Sequence, residues 1–232
     1  MSQENRGRSM VQFAFYKFDA AWRRLPEEER ERGKAEFAAA VEEAADEMMV
    51  RCYTLVGIRG DVDLLLWNAA PDISLLQKHG SRILKTGMGR WATQPYSYLA
   101  MTKQSQYKDP TEGDAPPGRR LVVKPTGRRF LFIYPFVKTR EWYLLSLEER
   151  QRIMSGHIHV GHKYPSVKLN TTYSFGIDDQ EFVVAFESDI AADFLDLVAG
   201  LRETESSKYT LRDTPIFTCV QTSIQEGLDA VG

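Results

Sequence analysis

Cysteine is scarce in this chain: Cys52 and Cys219 are the only two, and they lie far apart. That spacing excludes a disulfide-stapled framework and makes a reducing cytoplasm the expected location. An excess of one charge is missing as well. Lys and Arg number 30 against 32 Asp and Glu, a formal net charge of −2, so there is no basic footprint for nucleic acid. No apolar run approaches the roughly 20 residues of a membrane-spanning helix. The N-terminus, MSQENRGRSMVQF, carries arginines but no apolar segment, and no secretory signal is expected in it. Histidine is rare too. Of four, three fall between Tyr134 and Tyr164.

What is present is an ordinary globular balance, 43% hydrophobic and 27% charged over 232 residues, enough for one sizeable core or two small ones. VQFAFYKF at 11–18 reads as a strand. Pro26 and Glu27 to Glu29 open a helix expected to reach about Met48, with Phe37, Val41, Ala44, Ala45 and Met48 as its apolar stripe. Two strands should follow, turning at Arg59-Gly60-Asp61, then a helix from Pro71 to Leu84 and a strand within WATQPYSYLAMTKQSQY. The second half runs the same way. FLFIYPFV is a strand, and Ser146 with Glu149 is a capping-box pattern ahead of a helix. A hairpin turns at Asp178-Asp179, Ile190 to Leu201 is a helix, and TPIFTCV is a closing strand. WRRLPEEER from Trp22 can be laid on WYLLSLEER from Trp142, and YTLVGIRGDVDLLLW from Tyr53 on YSFGIDDQEFVVAF from Tyr173. This repeat of a βαββαβ-like order implies duplication. The expected fold is α+β: two tandem ferredoxin-like domains, residues 1–107 and 121–232, joined by a linker at 108–120, with their sheets side by side as a dimeric α+β barrel.

Chemistry is expected between Tyr134 and Tyr164. On a helix His159 neighbours His162, whereas His157 points elsewhere, so the three do not form one metal site. His157 shares a face with Ile153, Met154, Gly161 and Tyr164, while His159 shares a solvated side with Arg152, Ser155 and Lys163. A single imidazole on an apolar face is either a satisfied core histidine or a lone axial ligand to a haem iron, and a zinc site would need more ligands. His79, beside Gly80, reads as a surface or capping residue. Tyr143 is either half of an aromatic pair with Trp142 or a phenol held against an oxidising cofactor. Lys138 is either a solvated lysine or a charge partner for a carboxylated ligand. Arg128, Arg129 and Arg202 would together suit an anionic ligand such as a porphyrin with several propionates.

The run YPFVK…WYLLSLEER, the element His157-x-x-x-Gly161-x-Lys163-Tyr164, and the segments GIDDQEFVVAFE, LRETESSKY and YSYLAMTKQSQY resemble the chlorite dismutase family from about Val11 to Val220. That family holds chlorite dismutases and coproheme decarboxylases. The resemblance implies His157 as the proximal iron ligand, Tyr143 as a redox tyrosine, Lys138 beside a reacting propionate, and Arg202 and Arg129 as propionate contacts. Where chlorite dismutases carry a distal arginine, the resemblance puts Leu169, which cannot supply positive charge to hold chlorite. It therefore implies peroxide-dependent decarboxylation of two propionates of coproheme III to vinyls, giving haem b. Its alternatives are a chlorite dismutase or haem peroxidase, and a haem-binding protein without turnover. It also implies a closed homo-oligomer, frequently a pentamer, and transient contact with a coproporphyrin ferrochelatase. It names no distal base for peroxide.

Overall fold

The computed structural model describes residues 7–109 and 123–232, so most of the expected linker lies outside the described residues. Backbone contacts divide the chain into two units. One comprises the residues up to Met101 together with Thr218–Gly232; the other is Thr102–Phe217.

The first unit runs β1 (Met10–Phe18), α1 (Glu27–Ala45), β2 (Met49–Thr54), β3 (Leu64–Ala70), α2 (Ile73–Lys85) and β4 (Ala92–Met101). Its strands lie in the order β4-β1-β3-β2, all antiparallel. The second unit runs β5 (Phe130–Lys138), the short α3 (Arg140–Leu144), α4 (Leu147–His162), β6 (Lys168–Tyr173), β7 (Phe182–Ser188), α5 (Ala191–Arg202) and β8 (Thr210–Arg212). Its order, β6-β7-β5-β8, is the same arrangement read from the other edge. Each unit is thus a βαββαβ ferredoxin-like fold. The α+β expectation and the duplication both hold within the units.

The closing strand differs from expectation. The sequence places TPIFTCV at the edge of the second sheet, but that place is taken by β8, which has only three residues, too few for a periodic signal. The expected strand becomes β9 (Phe217–Gln221), which pairs with β2 of the first unit through Tyr53↔Gln221 and Thr54↔Val220. It leads into α6 (Ile224–Asp229), opened by a full capping box between Ser223 and Glu226. Leu228 and Val231 enter the first unit's core, and the Trp22 indole N–H donates to the Gly232 carbonyl at 2.7 Å.

A shared anchor closes the first strand of each unit. The Phe18 amide donates to Asp63 at 2.9 Å, and the Lys138 amide donates to Glu181 at 2.8 Å. Each carboxylate's own amide returns a bond to the same strand, Asp63 to the Tyr16 carbonyl and Glu181 to the Phe136 carbonyl. The interiors then diverge. With Trp22 laid on Trp142, Ala14 falls on Tyr134, Phe18 on Lys138 and Phe37 on His157. In the first unit Phe37 is fully buried with its ring 6.0 Å from both Tyr16 and Phe18, and the space is filled. In the second unit the equivalent face is not closed.

Candidate functional site

β5, β6 and β7 present one face toward α4 and α5. Side chains alternate along a strand and cross-strand partners share a face, so Phe132, Tyr134 and Phe136 stand with Phe182, Val184 and Phe186 and with Leu169, Thr171 and Tyr173. One end of this wall is sealed. Phe132 stacks on Phe194 of α5 at 4.0 Å, and Tyr134, Phe186 and Leu197 join them, with Val160 and Tyr164 of the α4 side packed on. Toward the other end Phe136, Thr171, Tyr173, Phe182 and Val184 are only partly buried, while on β6 Leu169, level with Phe186, is 52% exposed. An apolar strand face left this open beneath a helix is where a flat apolar ligand would be covered.

α4 forms because Ser146 accepts the Glu149 amide at 3.1 Å, with Glu148 and Glu149 in the first turn, and it buries Ile153. His157 follows Ile153 by four residues and so keeps to the inner side. A Cβ added at Gly156 or Gly161 would meet nothing within 4 Å, so neither glycine is required by close packing. His157 Nδ1 lies 3.1 Å from the Ser206 hydroxyl, and Nε2 has no hydrogen-bond partner among the described residues. Burial, with the charge of Lys138 second, pushes its pKa down to about 4, so the ring is neutral near pH 7. His159 is exposed, and His162 Nε2 pairs with Asp109 at 2.9 Å, as their places on α4 suggested. His79 departs from expectation. It lies with Leu76 and Ile83 on the inner stripe of α2, is 4% exposed, and has no partner for either ring nitrogen among the described residues.

Lys138 is buried. Its Nζ donates to the Ser206 carbonyl at 3.0 Å and sits 4.5 Å from the Trp142 ring centroid, and burial brings its pKa down to about 8. Tyr143 donates its phenol hydrogen to Glu181 in a short bond and meets Phe175 edge-on. Burial and that carboxylate hold the phenol well above its ordinary pKa. His157, Ser206, Lys138, Glu181 and Tyr143 therefore form one connected polar chain at the end of β5. Arg202, ending α5, is ion-paired with Asp213, and both charges are felt at the Tyr134 phenol. Arg129 is not brought to this place. It is exposed at the far end of β5, with its amide on Asp189 and its guanidinium over Phe130, while Arg128 pairs with Asp189 at 2.6 Å.

Sequence reasoning missed Ser206 and Glu181, whose contacts depend on the fold, and it passed over Tyr134. That residue stands on the wall, 8% exposed, and its phenol has no hydrogen-bond partner among the described residues. The strand period could have found it, since it precedes Lys138 by four positions and alternation puts both on one face. Among the described residues no three of His, Cys, Asp and Glu gather to hold a metal ion. The donor set is one neutral imidazole beside an apolar wall, which fits an iron porphyrin that brings its own four nitrogens.

The fold and this site define a duplicated ferredoxin-like protein with a single imidazole set beside an open apolar strand face. The chlorite dismutase family model matches residues 19–222, and the chain belongs to that family. It is 30% identical over 174 residues to a coproheme decarboxylase of Mycolicibacterium smegmatis, covering 75% of this chain and 73% of that one. Chlorite dismutase from Candidatus Nitrospira defluvii, solved in complex with imidazole, is similar at 25% identity with a TM-score of 0.86, over 99% of this chain and 96% of that one. A heme-binding protein from Thermus thermophilus is similar at 25% identity with a TM-score of 0.85, over 96% and 94% of the two chains.

Proposed function

We propose that the second unit binds an iron porphyrin through His157 Nε2, and that the protein converts coproheme III to haem b with hydrogen peroxide. The observation that carries this reading is the neutral imidazole of His157, engaged at Nδ1 only, on a helix covering a half-open apolar wall. The relative named a coproheme decarboxylase supports the choice of reaction. So does Leu169, because a leucine at that point of the wall offers no positive charge of its own to hold a small oxyanion.

The bound iron porphyrin would supply both the redox centre and the carboxylates that react. Each propionate loses a hydrogen atom from its β-carbon, a further electron and carbon dioxide, leaving a vinyl group. One peroxide accepts the two electrons, with two protons, and becomes water. The chain's residues then have separable tasks. His157 holds the iron. Arg202, at the rim beside Tyr134, offers a guanidinium to a propionate in place of Asp213. The wall excludes water from the radical step. A phenol takes the hydrogen atom, and two stand near enough to be candidates. Tyr143 has a built-in proton acceptor in Glu181. Tyr134 lies on the wall itself with its hydroxyl unengaged, which favours it for direct contact with the ligand. Lys138, whose Nζ is committed to the Ser206 carbonyl, steadies the histidine side in place of a propionate.

The test is to add iron coproporphyrin III to the purified protein, titrate in peroxide and follow products by mass spectrometry. Stepwise loss of two carboxyl groups ending at haem b is expected. Tight binding without mass loss would overturn the decarboxylase reading. Oxygen release from chlorite would then select the chlorite dismutase reading, which the likeness to the Nitrospira enzyme keeps in play.

A further inference from the structure

Three hydroxyl and carbonyl groups behind His157 form a chain whose direction can be worked out proton by proton. The Thr204 hydroxyl donates to the Leu201 carbonyl at 2.7 Å. That carbonyl belongs to the last turn of α5, where helix carbonyls lack intrahelical partners, and it can only accept. Thr204 has one hydroxyl hydrogen, and it is spent there. At the next link, Thr204 Oγ1 to Ser206 Oγ at 2.9 Å, Thr204 must accept and Ser206 must donate. The single hydrogen of Ser206 is spent in turn. At the last link, His157 Nδ1 to Ser206 Oγ at 3.1 Å, the serine oxygen accepts and Nδ1 carries the hydrogen. A neutral imidazole has one N–H, so Nε2 is left with its lone pair.

We infer that the Thr204–Ser206 hydroxyl chain sets the tautomer of His157, fixing its hydrogen on Nδ1 and reserving Nε2 for a ligand. The relay ends on a carbonyl and contains no carboxylate, so nothing in it pulls the Nδ1 hydrogen away, and the imidazole remains an uncharged donor. Lys138 supports the relay from the other side by holding the Ser206 carbonyl, which fixes where the hydroxyl stands. Ser206 is 3% exposed, so water does not compete for it. Ser206 and Thr204 are positioning residues, acting through His157. The tautomer follows from hydrogen bonds within the chain alone. Only its use, in iron ligation, rests on the function proposed above.

The test uses full-length, ligand-free protein labelled with 15N at histidine, read by long-range proton–nitrogen correlation of the imidazole. His157 should show a protonated Nδ1 and a bare Nε2. Thr204→Val removes the acceptor two links away and touches no atom of the imidazole. Ser206 is then free to donate to Nδ1, and the signal should move to the Nε2-protonated form. Ser206→Ala should give a mixture, and Ser206→Thr should restore the original tautomer. An Nε2-protonated wild type, or a Thr204→Val spectrum identical to wild type, would overturn the inference. A second readout adds haemin and follows the Soret band. Loss of such an outer partner typically weakens metal binding about tenfold or more, and Thr204→Val should do so. The expected tautomers without any haemin binding would leave the relay standing and refute the haem reading instead.

Discussion

At the scale of single residues, the proposed decarboxylation turns on which phenol meets the ligand. A group that gains and loses a proton at the reacting centre is worth about a hundredfold or more in rate. Tyr134→Phe should lower decarboxylation by at least that factor while leaving the Soret spectrum in place. Tyr143→Phe and Glu181→Gln should cost less and act together, because they share one hydrogen bond. Single-turnover rates with iron coproporphyrin III would decide between them, and a normal rate for Tyr134→Phe would move the role to Tyr143. The inward place of His157 on α4 was legible in the sequence, because it follows the apolar Ile153 by one helical turn. Tyr134 was less so, because a tyrosine between Ile133 and Pro135 reads as ordinary strand. Ser206 and Glu181 were not legible at all. They reach His157 and Tyr143 from parts of the chain distant in sequence, and nothing local marks a serine as a relay.

At the scale of elements, α4 carries His157, the proposed iron ligand, and depends on its first turn. Ser146→Ala removes the side-chain acceptor for the Glu149 amide and should cost about 1 kcal/mol. Denaturant titration should show that loss, with haemin affinity falling in parallel as α4 frays. An unchanged midpoint would mean that packing of Ile153 and Val160 alone sets the helix end. The helices and long strands followed from period and caps, and their observed bounds sit close to the expected ones. β8 escaped notice because three residues carry no period. α6 had a readable Ser-x-x-Glu signature at Ser223 and Glu226, and that signal was overlooked. The fate of β9 could not be read, since Phe217 and Cys219 would pattern as inward residues on either unit's sheet.

At the scale of the whole molecule, one buried and one half-buried histidine contribute to the response to acid. Burial pushes both His79 and His157 down to about 4, with Arg82 and Lys138 as the respective secondary causes. The unfolded chain takes up protons near the ordinary pKa of about 6.5, whereas the folded chain resists until about 4. Stability should therefore be full above about pH 6.5 and decline as pH falls toward 4, by at most about 3 kcal/mol for each histidine. Thermal melts across that range would show the decline. His79→Leu should flatten it, since leucine has neither a proton to take up nor unpartnered ring nitrogens. A slope unchanged in His79→Leu would place the acid sensitivity elsewhere. Duplication was legible at this scale from WRRLPEEER and WYLLSLEER. The divergence of the two interiors was not, because Phe37 in place of His157 becomes informative only once the first unit is seen to be filled.

The paired carboxylates Asp63 and Glu181 mark what the two units keep in common through that divergence. Both close the end of a first strand through the same two backbone bonds, one in a unit whose interior is packed solid and one beside a tyrosine phenol. The strand clamp is thus common to both units, and only in the second does the same carboxylate also accept a phenol hydrogen. A duplicated scaffold can open one copy to new chemistry while its twin keeps the core. In the function proposed above, one carboxylate would serve both as a fastener and as an acceptor.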